Sequence, residues 1–207
     1  DEVLILFLAG HETTANALTW TWYLLSQHPG VAARLHAEID RTLGDRLPTM
    51  ADVPQLTYTR QVLEESLRIF PPAYIVDRML LTDMEFGGYH LPKGATVFSS
   101  PWLMHHDARW YPDPERFDPE RWTPEAKAAR PKFSYFPFGA GPRICIGEQF
   151  AWMEATLALA TLARRWQPSL VPGQTVRGDP MIVLRPKGGL RMRLVARQPA
   201  PSPAPAL

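Results

Sequence analysis

The stretch Phe136–Ala155, FPFGAGPRICIGEQFAWMEA, holds the chain's only cysteine, Cys145, between a glycine-rich loop and a run of helical character. Arg143 stands two residues before the cysteine and Gly147 two after it. A thiolate is stabilised by a helix N-terminus and by nearby cations, and both are at hand if the helix begins at Cys145. Gly139, Gly141 and Gly147 let the backbone turn tightly and come close to a flat ligand, while Pro142 limits the freedom of the loop.

Several uses of such a cysteine compete. A cysteine phosphatase needs an arginine six residues downstream, and that position is Ala151. A thiol oxidoreductase needs a resolving cysteine, and the chain has no second one. A thiolate that ligates haem iron needs one cysteine, a shaped loop beneath the ring and a cation near the propionates. An inert cysteine buried at a helix start is the remaining reading, and the loop alone leaves these last two open.

Outward from the loop, the composition sets limits. The chain has 207 residues, 45% of them hydrophobic and 21% charged, which is ordinary for a globular protein with a sizeable core. A net charge of +1 gives no electrostatic reason for a nucleic-acid partner, and a single cysteine marks no oxidising compartment. The 22 prolines predict long irregular segments. Val3–Leu8 is apolar all round a helix, a pattern that belongs inside a large core. With no polar lead-in before it, we expect an upstream half and read the chain as a fragment.

Periodicity predicts a long helix over Asp1–Gln27, stopped by Pro29 and Gly30, an amphipathic helix over Val31–Leu43 and a third over Thr57–Phe70. Short strands and turns follow in Ala73–Ser100, then a proline-rich, aromatic segment over Pro101–Pro142. A helix returns over Ile146–Trp166. Met181–Leu184 and Leu190–Val195, turned around Lys187-Gly188-Gly189, read as a final hairpin. The tail after Val195, residues 196–207, reads as disordered.

Three polar features stand out against this frame. AGHETT, Ala9–Thr14, is one residue short of a zinc-protease motif, because the second histidine position is Ala15. Glu12 and Thr13, an acid beside an alcohol in an apolar helix, suit the handling of water and protons, and Gly10 leaves room beside the backbone. A helix with a polar patch is the plain alternative. In EESLR, Glu65 and Arg68 stand at i and i+3 and can pair on one face. His105 and His106, adjacent in a segment expected to be extended, point opposite ways and make poor metal ligands.

FGAGPRICIG fits Phe-x-x-Gly-x-Arg-x-Cys-x-Gly, through Phe138, Gly141, Arg143, Cys145 and Gly147, and resembles the haem-binding loop of the cytochrome P-450 family. AGHETT resembles the family's oxygen-activation motif and EESLR its Glu-x-x-Arg pair, in the family's order. The resemblance covers nearly the whole chain and implies a mainly helical fold with small peripheral β-sheets. On it, residues 1–195 form the C-terminal half of a single haem-thiolate catalytic domain.

The resemblance also implies roles. Cys145 is the axial ligand of the iron of haem b, with Phe138, Gly139, Arg143 and Gly147 around it and Arg78 as a second propionate-binding cation. Glu12 and Thr13 are the proton-handling pair. An arginine of the proline-rich segment joins Glu65 and Arg68. The family's Phe-x-Pro-Glu-Arg-aromatic pattern selects Arg121, with Trp122 for the commoner phenylalanine, over Arg116. Leu6, Ala9, Gly10, Ala73, Tyr74, Ile75, Val76, Met181 and Ile182 fall where the family lines its substrate pocket, with Tyr74 the one obvious hydroxyl.

The implied activity is monooxygenation of a lipophilic substrate such as a terpenoid or fatty acid. Electrons come from NAD(P)H through a ferredoxin and its reductase or a flavoprotein reductase. Compact loops lean toward a soluble, cytoplasmic, bacterial-type enzyme, with an anchor at the missing N-terminus left open. The rival readings are a peroxygenase or isomerase on the same fold, and an inactive or sensory haem-binding fragment.

Overall fold

The structure is a computed structural model of the chain and describes residues 1–197. Among the described residues six α-helices run in the order α1 (Glu2–Gln27), α2 (Pro29–Leu43), α3 (Thr57–Ile69), α4 (Pro101–His105), α5 (Pro124–Ala128) and α6 (Glu148–Arg165). Among them lie short 3-10 turns and four small antiparallel ribbons. These pair β1 (Val76–Met79) with β4 (Thr96–Ser99), β2 (Met84–Phe86) with β3 (Tyr89–Leu91), β5 (Trp166–Leu170) with β8 (Met192–Ala196), and β6 (Gly178–Pro180) with β7 (Leu184–Pro186). The chain is mainly helical with small sheets at its margin.

The core forms where the C-terminal half of α1 meets α2, α3 and α6. Leu24, Leu35, Ile39, Val62, Leu63 and Leu159 are buried together there. Trp20 stacks on Phe70 with centroids 3.9 Å apart, and Thr21 donates to Ser66 at 2.9 Å, so α1 and α3 are joined by packing and by a buried polar bond. No side chain of its own caps α3. Glu38, buried on α2, does so instead. Its carboxylate accepts from the backbone N–H of Tyr58 at 2.7 Å and of Thr59 at 2.8 Å, placing a negative charge on the positive end of the helix.

Five details differ from the expectation. Pro29 does not merely stop α1; it opens α2, where a missing N–H costs nothing, with only His28 between the helices. The apolar turn Val3–Leu8 is not buried by any described residue, and its side chains are 58% to 81% exposed. The last helix starts at Glu148, after Gly147, rather than at Ile146 or Cys145, and Trp166 already belongs to β5. The turn at Lys187–Gly189 exists, but the strands beside it do not pair with each other; β7 pairs back with β6 and β8 with β5.

The fifth concerns the tail. Its first residues are ordered: Ala196 pairs with Trp166, and the Arg197 guanidinium donates to Asp40 at 2.8 Å and to the carbonyl of Ala163 at 2.7 Å. The remainder of the expected tail lies outside the described residues.

Candidate functional site

The loop that presents Cys145 is closed by its own backbone. The N–H of Cys145 donates to the carbonyl of Phe138 at 2.9 Å, and the N–H of Gly139 to that of Phe136 at 3.0 Å. A 3-10 turn over Gly141–Arg143 fills the bend. Gly139 and Gly141 have φ of 75° and 71°, which a side chain rarely tolerates, so glycine is demanded at both. The helix does not start at the cysteine, so the thiol stands before the helix N-cap instead of inside its first turn.

The thiol is exposed. Beside it Ile144, Ile146 and Phe150 are exposed as well, an apolar apron next to a soft ligand. A Cβ built on Gly147 would lie 3.8 Å from Sγ, an ordinary contact, so this position borders the sulfur directly. Arg143, two residues before the thiol, and Arg78 on β1 are both exposed and form no ion pair among the described residues. One soft donor, an apolar surround and two available cations fit a thiolate-bound, flat, carboxylate-bearing macrocycle such as haem b.

Behind the loop lies a buried ionic cluster on α3. Arg68 reaches Glu65 through two bonds, Nε to Oε2 at 2.8 Å and Nη2 to Oε1 at 2.9 Å, and both side chains are fully buried. Arg121 approaches Glu65 with Nε 3.4 Å from Oε1, and its Nη2 donates to the carbonyls of Pro112 and Asp113 at 2.6 and 3.0 Å. Arg116 instead points to solvent, 3.7 Å from Asp118, and only its backbone carbonyl meets Arg68. Trp122 Nε1 and the N–H of Asp118 also donate to Glu65, at 2.8 and 3.0 Å, so the carboxylate is saturated.

His105 joins this cluster to the cysteine loop. It sits at the end of α4, not in an extended segment, because Pro101 and the Ser100 cap favour a helical turn there. Its carbonyl accepts from Arg68 at 2.9 Å, and its Nε2 accepts from the N–H of Phe136 at 3.0 Å. Accepting at Nε2 fixes the proton on Nδ1. Burial first, and the Arg68 charge second, hold its pKa down at about 3, so the ring is neutral. Nothing in the spacing of His105 announces this bridging position. Among the described residues no group of three or more His, Cys, Asp and Glu is placed to hold a metal ion.

On α1, Glu12 is exposed and Thr13 half-buried. The Thr13 hydroxyl donates to the carbonyl of Ala9 at 2.7 Å, and Asn16 Nδ2 to that of Glu12 at 2.9 Å. A Cβ on Gly10 would meet nothing within 4 Å. Leu6, Ala9 and Gly10 are exposed on the uncovered part of the helix. Ala73–Val76 and Met181–Ile182 are brought together, with the Tyr74 hydroxyl donating to the carbonyls of Pro180 at 3.2 Å and Met181 at 3.0 Å. Tyr74 is thus a tether between the two segments.

A family model described as Cytochrome P450 matches residues 1–191. The chain belongs to the cytochrome P450 family. Cyclooctatin synthase of Streptomyces melanosporofaciens is 49% identical over 192 residues, which are 93% of this chain and 42% of that protein. Pentalenene oxygenase of Streptomyces avermitilis is 41% identical over 199 residues, 96% of this chain and 44% of that protein. A crystal structure of the haem domain of cytochrome P450DA superposes with a TM-score of 0.89 at 34% identity, over 98% of this chain and 46% of that one. The chain therefore spans less than half the length of the P450 relatives it matches. Haem b is the cofactor that goes with the family. No helix among the described residues is long and apolar enough to cross a membrane.

Proposed function

We propose that residues 1–195 are the C-terminal half of the catalytic domain of a haem-thiolate monooxygenase. One atom of O2 enters a lipophilic substrate and the other leaves as water. The two electrons come from NAD(P)H through a redox partner, a ferredoxin with its reductase or a flavoprotein reductase. The observation that carries the reading is Cys145: an exposed thiol on a backbone-closed glycine loop, with apolar neighbours and a free arginine two residues away.

Haem b, when bound, supplies the activation of dioxygen. The chain's own residues do the rest. Cys145 ligates as the thiolate, and its fixed backbone keeps the sulfur in place. Arg143 and Arg78 bind the two propionates. Thr13, whose hydroxyl proton is committed to the Ala9 carbonyl, retains lone pairs with which to accept a hydrogen bond, and Glu12 at the exposed side of α1 delivers protons. Leu6, Ala9, Gly10, Ala73, Ile75, Val76, Met181 and Ile182 offer an almost wholly apolar lining, and Tyr74 ties its two distant segments together. The relative named for oxygenation of pentalenene supports a largely hydrocarbon, terpenoid-type substrate. The Streptomyces origin of both relatives supports a soluble, cytoplasmic, bacterial-type enzyme.

The test uses the intact protein. Its reduced carbon-monoxide complex is expected to show the red-shifted Soret band of thiolate ligation, and Cys145→His to lose it. With a reductase, each product molecule should consume one NAD(P)H and one O2. A wild-type spectrum of histidine-ligated type overturns the assignment of Cys145. Product formed from hydrogen peroxide but never from NAD(P)H and O2 overturns the monooxygenase reading in favour of a peroxygenase.

A further inference from the structure

The ionic cluster on α3 has a second, separate arm. Glu64, one residue before Glu65, is buried, and its carboxylate accepts from Lys127 on α5 at 2.9 Å and from Arg60 Nε at 3.2 Å. Arg60 does more than pair. Its guanidinium carbon lies 3.4 Å from the ring centroid of Trp152, a close cation–π stack. Trp152 is buried on α6 and touches both ends of the cysteine loop. Its ring packs on Phe138 with centroids 5.2 Å apart, and its Nε1 donates to Glu148 Oε1 at 3.3 Å.

Those two contacts bracket Cys145. Phe138 supplies the carbonyl that holds the cysteine N–H, and Glu148 is the first residue of α6, whose N–H donates to the Cys145 carbonyl at 3.4 Å. Arg60, Phe138, Glu148 and Trp152 also share the lining of a cavity of about 660 Å³ beside the loop. The indole is a buckle across the loop, and the Arg60 cation holds it down from α3.

We propose that Arg60 is a positioning residue for the Cys145 thiolate, acting through Trp152 on Phe138 and Glu148. The proposal rests on the reading of Cys145 as the haem ligand. Glu64, itself held by Lys127, anchors the guanidinium at Nε while its plane lies over the indole. When the cation is removed, Glu64 keeps Lys127 and the helix survives. Trp152 loses its backing, and the loop backbone that fixes the sulfur gains freedom.

The experiment measures, in the intact haem-loaded protein, how fast the reduced carbon-monoxide complex passes from the thiolate-ligated band to the neutral-thiol band, together with the haem reduction potential. Arg60→Met is expected to speed the conversion ~2- to 5-fold, the weight of a partly exposed cation–π contact, and to shift the potential. Arg60→Lys should restore most of both. In Trp152→Leu the conversion should also be faster, and adding Arg60→Met to it should change little more, because the cation then has no ring to hold. Wild-type behaviour in Arg60→Met overturns the proposal. So does an effect of Arg60→Met that persists undiminished on the Trp152→Leu background, or one that follows the melting temperature alone with no shift in potential. A wild-type complex lacking the thiolate band would instead overturn the haem-ligand reading, which keeps the two failures distinguishable.

Discussion

Thr13 shows how one hydroxyl is prepared by its helix. A threonine in mid-helix ordinarily returns its proton to the carbonyl four residues back, and Thr13 does so at 2.7 Å to Ala9. That bond orients the oxygen and leaves its lone pairs outward, beside a Gly10 that offers open space. If this oxygen accepts a hydrogen bond at the oxygen-binding site, its loss should harm the use of electrons more than their supply. Thr13→Ala is expected to bind substrate and oxidise NAD(P)H, yet to divert several-fold more of the reducing power to hydrogen peroxide. Thr13→Ser should stay near wild type. The ratio of product to NAD(P)H consumed is the measurement, and an unchanged ratio in Thr13→Ala removes the role given to Thr13.

At the scale of elements, the joint between α3 and the proline-rich segment is built on one carboxylate. Glu65 takes bonds from Arg68, Trp122 and the Asp118 backbone, and Arg121 closes the remaining side. Arg121 also holds the carbonyl of Asp113, a non-glycine residue at φ 51°, so it restrains a strained corner. Removing it leaves Glu65 with Arg68 alone as its cation and takes the side-chain donor from the carbonyls of Pro112 and Asp113. Arg121→Ala should lower stability by roughly 3 kcal/mol and impair haem retention, whereas the solvated Arg116→Ala should stay within about 0.5 kcal/mol. Chemical denaturation of the intact protein compares the two, and the reverse ranking would show that the segment is read in the wrong register.

What was legible at this scale followed from local chemistry. Proline and glycine punctuation located α1, α2 and α3 within two residues, since these signals act on the residues beside them. The cysteine loop was legible because glycines at positive φ and a single thiol are local demands too. The final strands were not. β8 finds its partner in β5, where Trp166 pairs with Ala196, and the hairpin-like turn between Pro186 and Gly189 gives no hint of that distant register. His105 was hidden for the same reason: its value lies in Arg68 and Phe136, 37 and 31 residues away along the chain.

Over the whole molecule, buried neutral histidines set the response to acid. His105 has its pKa held at about 3, by burial and then the Arg68 charge, and His36 at about 4, by burial and then the Arg197 charge beside it. Both titrate near 6.5 when unfolded, so the unfolded chain takes up protons that the folded one refuses. Stability is therefore full above about pH 6.5 and falls as pH drops through the window down to about 4, by roughly 1.4 kcal/mol per histidine for each pH unit. Asp52, whose carboxyl Arg46 and the Thr49 backbone hold well below the usual range, adds to the loss only under pH 4 or so. The denaturation midpoint of the intact protein should drop clearly between about pH 7 and about pH 4.5, and equal midpoints would contradict the neutral burial of both rings.

The tether between Ala73–Val76 and Pro180–Leu184 also has a consequence in time. The Trp20 indole N–H, deep in the core, finds its acceptor in the Leu184 carbonyl at 3.0 Å, and the Leu184 N–H finds its own in Pro72 at 2.9 Å. A ribosome reaches Leu184 long after α1 and α3 have left the exit tunnel. Until then the indole has no native partner and the wall made by Met181 and Ile182 does not exist. The cysteine loop also emerges late, so a growing chain exposes its helices well before it can grip a prosthetic group. Capture of a haem through Cys145 would therefore follow the emergence of that loop and could not accompany the folding of α1 and α3.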